Sequence, residues 1–473
     1  MTYEKTQNPA SRIRRLRSFM REALSDNNID FTNIPVGRAV GLLALPMMLE
    51  MAMESIFAVV DIAYVSRLGA GAIAVVGITE AMLSILYAVA VGLGMGVTAM
   101  VSRRIGEKKP DAAAHTAMQA IWLGGGLAVV IGVFGAVYAA DLLRLMGAEP
   151  AVIDIGSGYA TVLYGGSASI LLLFLLNAAF RGAGDATIAL RSLWLANGIN
   201  IVLDPCLIFG LGPFPELGIT GAAIATTIGR SIGVLYQLYY LVNGRSRLTV
   251  RFKHLRPNLS IMKRLIVVST GGILQFLIGT SSWIFMMRIV ATYGSAPVAA
   301  YTIAIRMLEF VFLPAWGLGN AAATLVGQNL GANQPERAEQ SAWMAARFNT
   351  IFMSGTAVFV FVLAPQIIQL FSDEPEVLRY GVSCLRIIGI GFTTFAAGMI
   401  VLQSLNGAGD TRTPTIMNFY CFWLLEIPLA YWLAKSVGMG PNGVFTAIVI
   451  AETVLSVWGI VVFRRGHWKL QHV

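Results

Sequence analysis

The sequence predicts an all-α integral membrane protein of twelve transmembrane helices, arranged as two six-helix lobes related by pseudo-twofold symmetry. Three observations predict it. Charged residues make up only 12% of the 473-residue chain and hydrophobic ones 56%, whereas a soluble domain carries about 25% charged residues. Apolar runs of roughly 20 residues or more, long enough to cross about 30 Å of hydrocarbon, recur along the whole length. The second half of the chain then repeats the landmarks of the first.

Taken in order, the apolar runs lie near 36–65, 72–101, 116–138, 153–181, 187–210 and 220–242, then 264–290, 297–327, 342–363, 377–405, 413–435 and 442–463. This divides the chain into a tail over 1–35, a first lobe over 36–242, a linker over 243–263, a second lobe over 264–465 and a short tail over 466–473. The mean hydropathy of +0.70 places most of the surface in lipid.

Charge fixes the orientation. The net charge of +9 is concentrated in alternate connections: Arg12 to Arg21, Arg103 to Lys109, Arg245 to Arg264, and Arg464 to Lys469. The other connections hold Arg67, Arg144, Arg379 and Lys435, with Asp373, Glu374 and Glu376 beside them. Basic loops stay on the cytoplasmic side, so both termini are expected there, in a bacterial or archaeal plasma membrane. This clustering argues against a nucleic-acid partner. The N-terminal tail lacks a small-residue cleavage site after an apolar core; it reads either as a surface helix on anionic lipid or as a solvated segment. Cys206, Cys384 and Cys421 stand singly in apolar runs, which suggests neither disulfides nor a metal centre.

The repeat is internal and constant in spacing. Gly69 and Gly294, the Gly92-Leu93-Gly94 and Gly317-Leu318-Gly319 triplets, Gly106 and Gly331, and Pro110 and Pro335 are each 225 residues apart. So are Gly182-Ala183-Gly184-Asp185 and Gly407-Ala408-Gly409-Asp410. Gly218 and Gly221 match Gly440 and Gly443 at 222. Each unit holds an even number of spans, so the copies share one orientation about an axis along the membrane normal, a recurrent transporter architecture.

These motifs, together with Val60-Asp61, Arg67-Leu68-Gly69 and Asn200-Ile201-Val202-Leu203-Asp204-Pro205, resemble those of the multidrug and toxic compound extrusion transporters. The resemblance runs from the first span to the twelfth. It implies a V-shaped pair of lobes, no enzymatic activity, no cofactor, and export of small organic, often cationic, compounds in exchange for H⁺ or Na⁺. Within the branch named for a DNA-damage-inducible protein, the resemblance carries ion coupling to Asp61, Asn200 and Asp204. It carries a helix kink to Pro46, and supporting cavity positions to Tyr159, Asn177 and Thr226. Sodium held by Asp61 and Asp204 is the competing version of proton coupling. Gln275 stands where the other main bacterial branch has an acid, which favours the first lobe.

The residues themselves support part of this. A carboxylate near the bilayer centre costs roughly 2.5–3.5 kcal/mol on insertion scales and needs a partner or a wet cavity. Asp61 and Asp204 each precede the far end of an outward-running span by about two turns, so they share a depth of roughly 10 Å. Asn200 lies one turn from Asp204 on the same face. At the 225 spacing these three positions correspond to Met286, Leu425 and Leu429: the scaffold repeats and the polar groups do not. A structural alternative is that Asp204-Pro205 caps a broken helix.

Glu50, Glu54 and Glu309 are candidate substrate contacts, with structural pairing, such as Arg306 with Glu309, as the competing reading. Met53, Met286 and the Trp283 group could line an adaptable cavity, or pack a core. Glu426 and Glu452 are candidates for a second-lobe ion site. The Gly-Ala-Gly-Asp turns read as tight turns whose Asp caps the next helix. No nucleotide-binding P-loop, His-Glu-x-x-His or Gly-x-Ser-x-Gly is present, which disfavours an ATP-driven pump or a protease. The expected partners are small organic substrates and membrane lipids, bound by a monomer. A lipid-linked oligosaccharide flippase of the same superfamily, which would need a basic cavity, and a non-transporting receptor or scaffold are the alternatives.

Overall fold

The computed structural model describes residues 9–25 and 29–471; of the expected tails, residues 1–8, 26–28 and 472–473 lie outside the described residues. Among the described residues, eleven helices are long and apolar enough to cross a bilayer, and a twelfth crossing is a bent pair, Pro150–Gly165 and Ser167–Ala183, meeting at 43°. Spans one to six are Val36–Val65, Ala70–Gly106, Pro110–Val137, this bent pair, Ala186–Phe209 and Gly218–Val242. Spans seven to ten are Leu259–Ala291, Ser295–Gly331, Pro335–Gln369 and Pro375–Ala408. Span eleven runs over Arg412–Ser436, with wider π-wound turns at Phe419–Glu426 and Trp432–Ser436, and span twelve is Pro441–Arg464.

The helices outrun the apolar runs at the terminus-bearing end. Span three starts at Pro110 rather than 116, span seven at Leu259 rather than 264, and span nine at Pro335 rather than 342. Apolarity marks only the length held in hydrocarbon, and the backbone ladder continues into the polar zone. Pro110, Pro150, Pro335, Pro375 and Pro441 each stand in the first helical turn, where the missing N–H costs nothing. Pro46, Pro205, Pro314 and Pro365 sit inside helices that run through them without a break. Asp204 therefore lies inside span five and caps no helix.

The two Gly-Ala-Gly-Asp turns share a backbone and differ in use. Gly184 and Gly409 both adopt left-handed φ, +89° and +93°, which glycine reaches without strain. Asp410 caps its following helix, accepting from the Thr413 N–H at 3.1 Å and the Thr413 hydroxyl at 2.7 Å. Asp185 does not cap. It accepts from the Arg247 N–H at 2.8 Å and so holds the linker.

That linker is shorter than expected, 243–258, because the turn from Leu259 to Lys263 already belongs to span seven. It is bonded along span three. Lys253 pairs with Asp111 at 2.6 Å, and the Trp122 indole donates to the Leu255 carbonyl at 3.0 Å. Gln119 donates to the Arg256 carbonyl at 3.1 Å and accepts from the Asn258 N–H at 2.8 Å. Burial lowers the His254 imidazole below its ordinary pKa, and the ring's Nδ1 accepts from the Arg251 N–H at 3.1 Å.

The lobes meet backbone to backbone at the terminus-bearing end, and each contact recurs in its twofold mate. A Cβ on Gly106 of span two would stand 2.0 Å from the Gln328 carbonyl oxygen of span eight, and one on Gly331 of span eight 2.2 Å from the Arg103 carbonyl oxygen of span two. Farther in, a Cβ on Gly92 would meet the Ile273 N at 2.4 Å, and one on Gly317 the Met47 carbonyl oxygen at 2.5 Å. Toward the opposite end Glu80 of span two and Arg306 and Glu309 of span eight are exposed. Arg306 there acts electrostatically on both acids. The lobes thus close at one end and part toward the other.

Terminal segments brace the closed end. The N-terminal helix Pro9–Ala23 presses the Phe19 ring onto Gly41 of span one, and Glu22 pairs with Arg38 at 2.7 Å. The segment after it is gripped from both lobes. Arg191 donates to the Leu24 carbonyl at 2.9 Å, and Arg247 donates to the Ile29 carbonyl. From the second lobe, Arg337 donates to the carbonyls of Phe31, at 3.0 Å, and Ile34. At the other terminus Arg103 of the first lobe donates to the Gln471 carbonyl at 2.8 Å.

Two outcomes follow from this packing. Gly106→Ala or Gly331→Ala will push spans two and eight apart and destabilise the protein by about 1–3 kcal/mol, as overpacking does. Gly125→Ala, whose added Cβ meets nothing, will be neutral or stabilising by about 0.5–1 kcal/mol. Chemical denaturation in detergent distinguishes them. Arg337→Ala will release the strap: amide exchange across 29–35 rises while the spans keep their protection, and unchanged exchange there would contradict the assignment.

Candidate functional site

Spans one and five each bring one acid to the same depth in the first lobe. Asp204 is fully buried and Asp61 half-buried, and their carboxyls come within hydrogen-bond reach of each other. No N–H or O–H donor reaches either Asp204 oxygen. The Asp61–Asp204 contact is therefore a hydrogen bond only when one of the two acids carries a proton. One turn away Asn200, 2% exposed, donates to the Thr226 hydroxyl at 2.9 Å and leaves its own Oδ1 unpartnered. Tyr159, also buried, stands near Asp61 and Glu80. Sequence reasoning places these five residues together, and so does the fold.

Asn177 belongs elsewhere. Its Oδ1 accepts from Gln237, and it faces a cavity of about 260 Å³ between the lobes. Glu50 and Glu54 of span one face the same space. Neither carboxylate stands alone there. Glu50, fully buried, pairs with Arg181 at 2.7 Å, and Glu54 accepts from the Asn197 amide at 3.0 Å. The opposing wall, from the second lobe, carries Phe276, Leu313, Trp316, Asn320 and Gln403, with no charged residue.

Three expected substrate contacts are not on this wall. Met286 is 1% exposed and packed in the second lobe's core, because it follows the inward face of span seven. Met53 is half-buried on another face of span one, and the methionines that do line the cavity are Met51 and Met95. Glu309 lies exposed on span eight, away from the cavity, and makes no direct ion pair with Arg306 among the described residues. Trp283 and Phe285 are exposed, with Phe285 edge-on to Trp423 of span eleven. Glu426 is buried and accepts from Ser282 at 3.0 Å, with Glu452 close enough to act on it electrostatically.

The sequence reading missed the cations. Arg230, 8% exposed in the middle of span six, donates to the Tyr87 hydroxyl at 3.2 Å. Its charge acts on Glu54 of the cavity and on Asp61 of the carboxyl pair, so it links the two sites. An arginine inside an apolar span was the available signal. Arg181 is the last residue of the fourth apolar run, next to the Gly-Ala-Gly-Asp turn, and its position at the run's edge gives it no mark of a cavity residue. With both arginines present, the cavity is charge-balanced rather than acidic.

The duplication shows what the Glu50–Arg181 pair replaces. The positions 225 residues on are Gln275 and Asn406, and they too are bonded: Gln275 donates to the Asn406 Oδ1 at 3.0 Å and accepts from its Nδ2 at 3.2 Å. One geometry is thus met by an ion pair in one lobe and by an amide pair in the other. Glu50→Gln, which strands a buried guanidinium, will cost about 3 kcal/mol of stability. Adding Arg181→Asn, copying the second lobe, will recover most of that loss. A double-mutant cycle on unfolding in detergent measures the coupling, and additive losses would refute it.

No group of three or more His, Cys, Asp or Glu able to hold a metal occurs among the described residues. Against known proteins the chain matches the family model MatE twice, over residues 46–206 and 272–432, one match in each lobe. It is 28% identical to a probable multidrug resistance protein of Bacillus subtilis, over 93% of this chain and 95% of that one. It is 26% identical to an FAD transporter of Shewanella oneidensis, over 89% and 93%. In three dimensions it is similar to a multidrug resistance MATE transporter of the MOP superfamily solved in an outward-facing conformation. That likeness has a TM-score of 0.87 and 26% identity, covering 92% of this chain and 96% of the other. With the family model found in both lobes and the twelve-span fold matching from end to end, the chain belongs to the MatE family of multi-pass membrane transporters.

Proposed function

We propose that the protein exports small amphipathic organic compounds, often cationic, from the cytoplasm in exchange for protons, by alternating access across a plasma membrane with both termini inside. The observation that carries this is Asp204: a buried carboxylate that no donor satisfies, facing a second acid, where the matching positions of the other lobe are Leu429 and Met286. Two acids at that distance cannot both stay ionised at low cost, and they titrate as a pair. Filling the pair with a cation removes the buried repulsion and permits a different helix packing. Span one carries Asp61 near its far end and Pro46 about four turns before it, inside the helix. Pro46 lacks the N–H that would tie its turn, so this helix can bend there.

The relatives' names support efflux of drug-like compounds, and the cavity has the apolar aromatic wall such compounds need. Sodium held by Asp61, Asp204, Asn200 and Thr226 is the competing version of the coupling. The flippase alternative requires a basic cavity, and this one pairs two carboxylates with two guanidiniums.

Purified protein in liposomes tests the proposal. An imposed proton gradient will drive ethidium movement and a sodium gradient will not; the reverse result selects the sodium version, and indifference to both defeats antiport. Asp204→Asn and Asp61→Asn will each reduce movement to that of protein-free liposomes while binding of ethidium persists. Wild-type transport by Asp204→Asn would place the coupling elsewhere.

A further inference from the structure

A second cavity, about 530 Å³, opens at the terminus-bearing end where spans two, three and seven meet. Arg104, near the end of span two, and His115, in the second turn of span three, come from the first lobe; Ser260 and Arg264, in the first two turns of span seven, come from the second. Met100 and Ile261 form its apolar part. Spans three and seven both begin here, at Pro110 and Leu259, so two positive helix ends add to the arginines.

The acids nearby are already used. Glu107 is held by Arg104 at 2.9 Å and Lys109 at 3.1 Å, and Asp111 by Lys253 at 2.6 Å. Arg264 is exposed and makes no ion pair among the described residues. The groove is therefore left positive. Its depth is that of a headgroup layer, since every charged or polar lining residue lies within about two turns of a span's end, or about 8–11 Å.

What continues below the charges is apolar. Val267, one turn past Arg264, is 65% exposed, and Trp122, two turns past His115 on the same face, is 47% exposed. The Trp122 indole N–H, bonded to the linker, marks the membrane interface. A free anion has no use for that strip, whereas a phospholipid does.

We propose that this groove binds an anionic phospholipid, with the phosphate-bearing headgroup between Arg104, His115 and Arg264 and an acyl chain along Val267 and Trp122. Basic pockets between spans are a known way of holding such headgroups. The bound lipid touches both lobes at the end where they close, so it favours the closed arrangement of that end. This goes beyond the transport reading and survives its failure, because the binding is read without transport.

Native mass spectrometry of the full chain, delipidated and titrated with chain-matched phosphatidylglycerol or phosphatidylcholine, tests it. The wild type will retain phosphatidylglycerol preferentially. Arg264→Gln will lower that preference about fivefold, the weight of one basic residue at a membrane surface, and Arg264→Lys will keep most of it. Lys263→Gln removes the same charge one residue away and off the groove, and it will leave the preference unchanged. Equal retention of the two lipids, or an equal loss from Lys263→Gln, would overturn the site. Displacement of the lipid by millimolar inorganic phosphate would show a simple anion site and overturn the lipid assignment.

Discussion

Everything in this fold depends on backbones approaching closely without side chains between them. In lipid there is no hydrophobic drive to press one helix bundle against another, because the tails are as apolar as the helices, and contact must come from packing of small residues. Gly92, Gly106, Gly317 and Gly331 provide it: each admits a carbonyl or amide of the other lobe where a single methyl group would collide. Because these glycines occur as twofold mates, the lobes meet through one contact made twice. Around these glycines, apolar side chains of both lobes pack together, Leu42, Leu43 and Met47 with Leu318, Leu325 and Ile400, so the close backbone approach and the side-chain packing hold this end shut jointly.

Upon that symmetric frame the charges are laid asymmetrically. Glu50–Arg181 and Gln275–Asn406 occupy matching places with matching geometry, so the frame needs a bonded pair there and is indifferent to its charge. The ionic version is the expensive one, since a buried ion pair rarely outweighs the desolvation of its members. Its confinement to the lobe that also carries Asp61 and Asp204 argues that the charge serves something besides folding. The second lobe shows the scaffold without it.

Much of this was readable in the sequence, and the failures have physical causes. Span number, the division into lobes and the grouping of Asp61, Asn200 and Asp204 follow from apolar length, a 225-residue repeat and helical spacing, which are all properties of position along the chain; Thr226 comes only with the family resemblance. What faces what across helices is not. Met286 and Met53 look like cavity residues by type, yet span seven turns one into the core and span one turns the other off the cavity. Asp185 and Asp410 close the same Gly-Ala-Gly-Asp turn, yet Asp410 caps through Thr413, where the first lobe has Ile188, and Asp185 is taken up by the linker. The N-terminal strap is held by side chains hundreds of residues away, Arg247 and Arg337, gripping backbone carbonyls, and a carbonyl leaves no mark in sequence. Arg230 is the one omission that a stricter reading of intramembrane charge would have caught.

Under the proposed function, Arg230 is also what joins the two sites into one system. It is nearly buried, it is fixed to Tyr87, and its charge is felt by Glu54 in the cavity and by Asp61 in the carboxyl pair. On the proposed coupling, neutralising Asp61 removes one of the negative charges that hold Arg230 in place. The arginine is then left to Glu54, strengthening that partnership and weakening Glu54 as a partner for any bound cation. Occupancy of the carboxyl pair and occupancy of the cavity by a cationic compound thereby oppose each other through a single guanidinium, with no need for a long chain of moving parts. Linkage requires the opposition to run both ways: a cation bound at Glu54 turns Arg230 back toward Asp61 and favours release of the proton there. Antiport by this route rests on electrostatics confined to spans one, two, five and six, and the bending of span one needs only to convert that local competition into movement of the lobes.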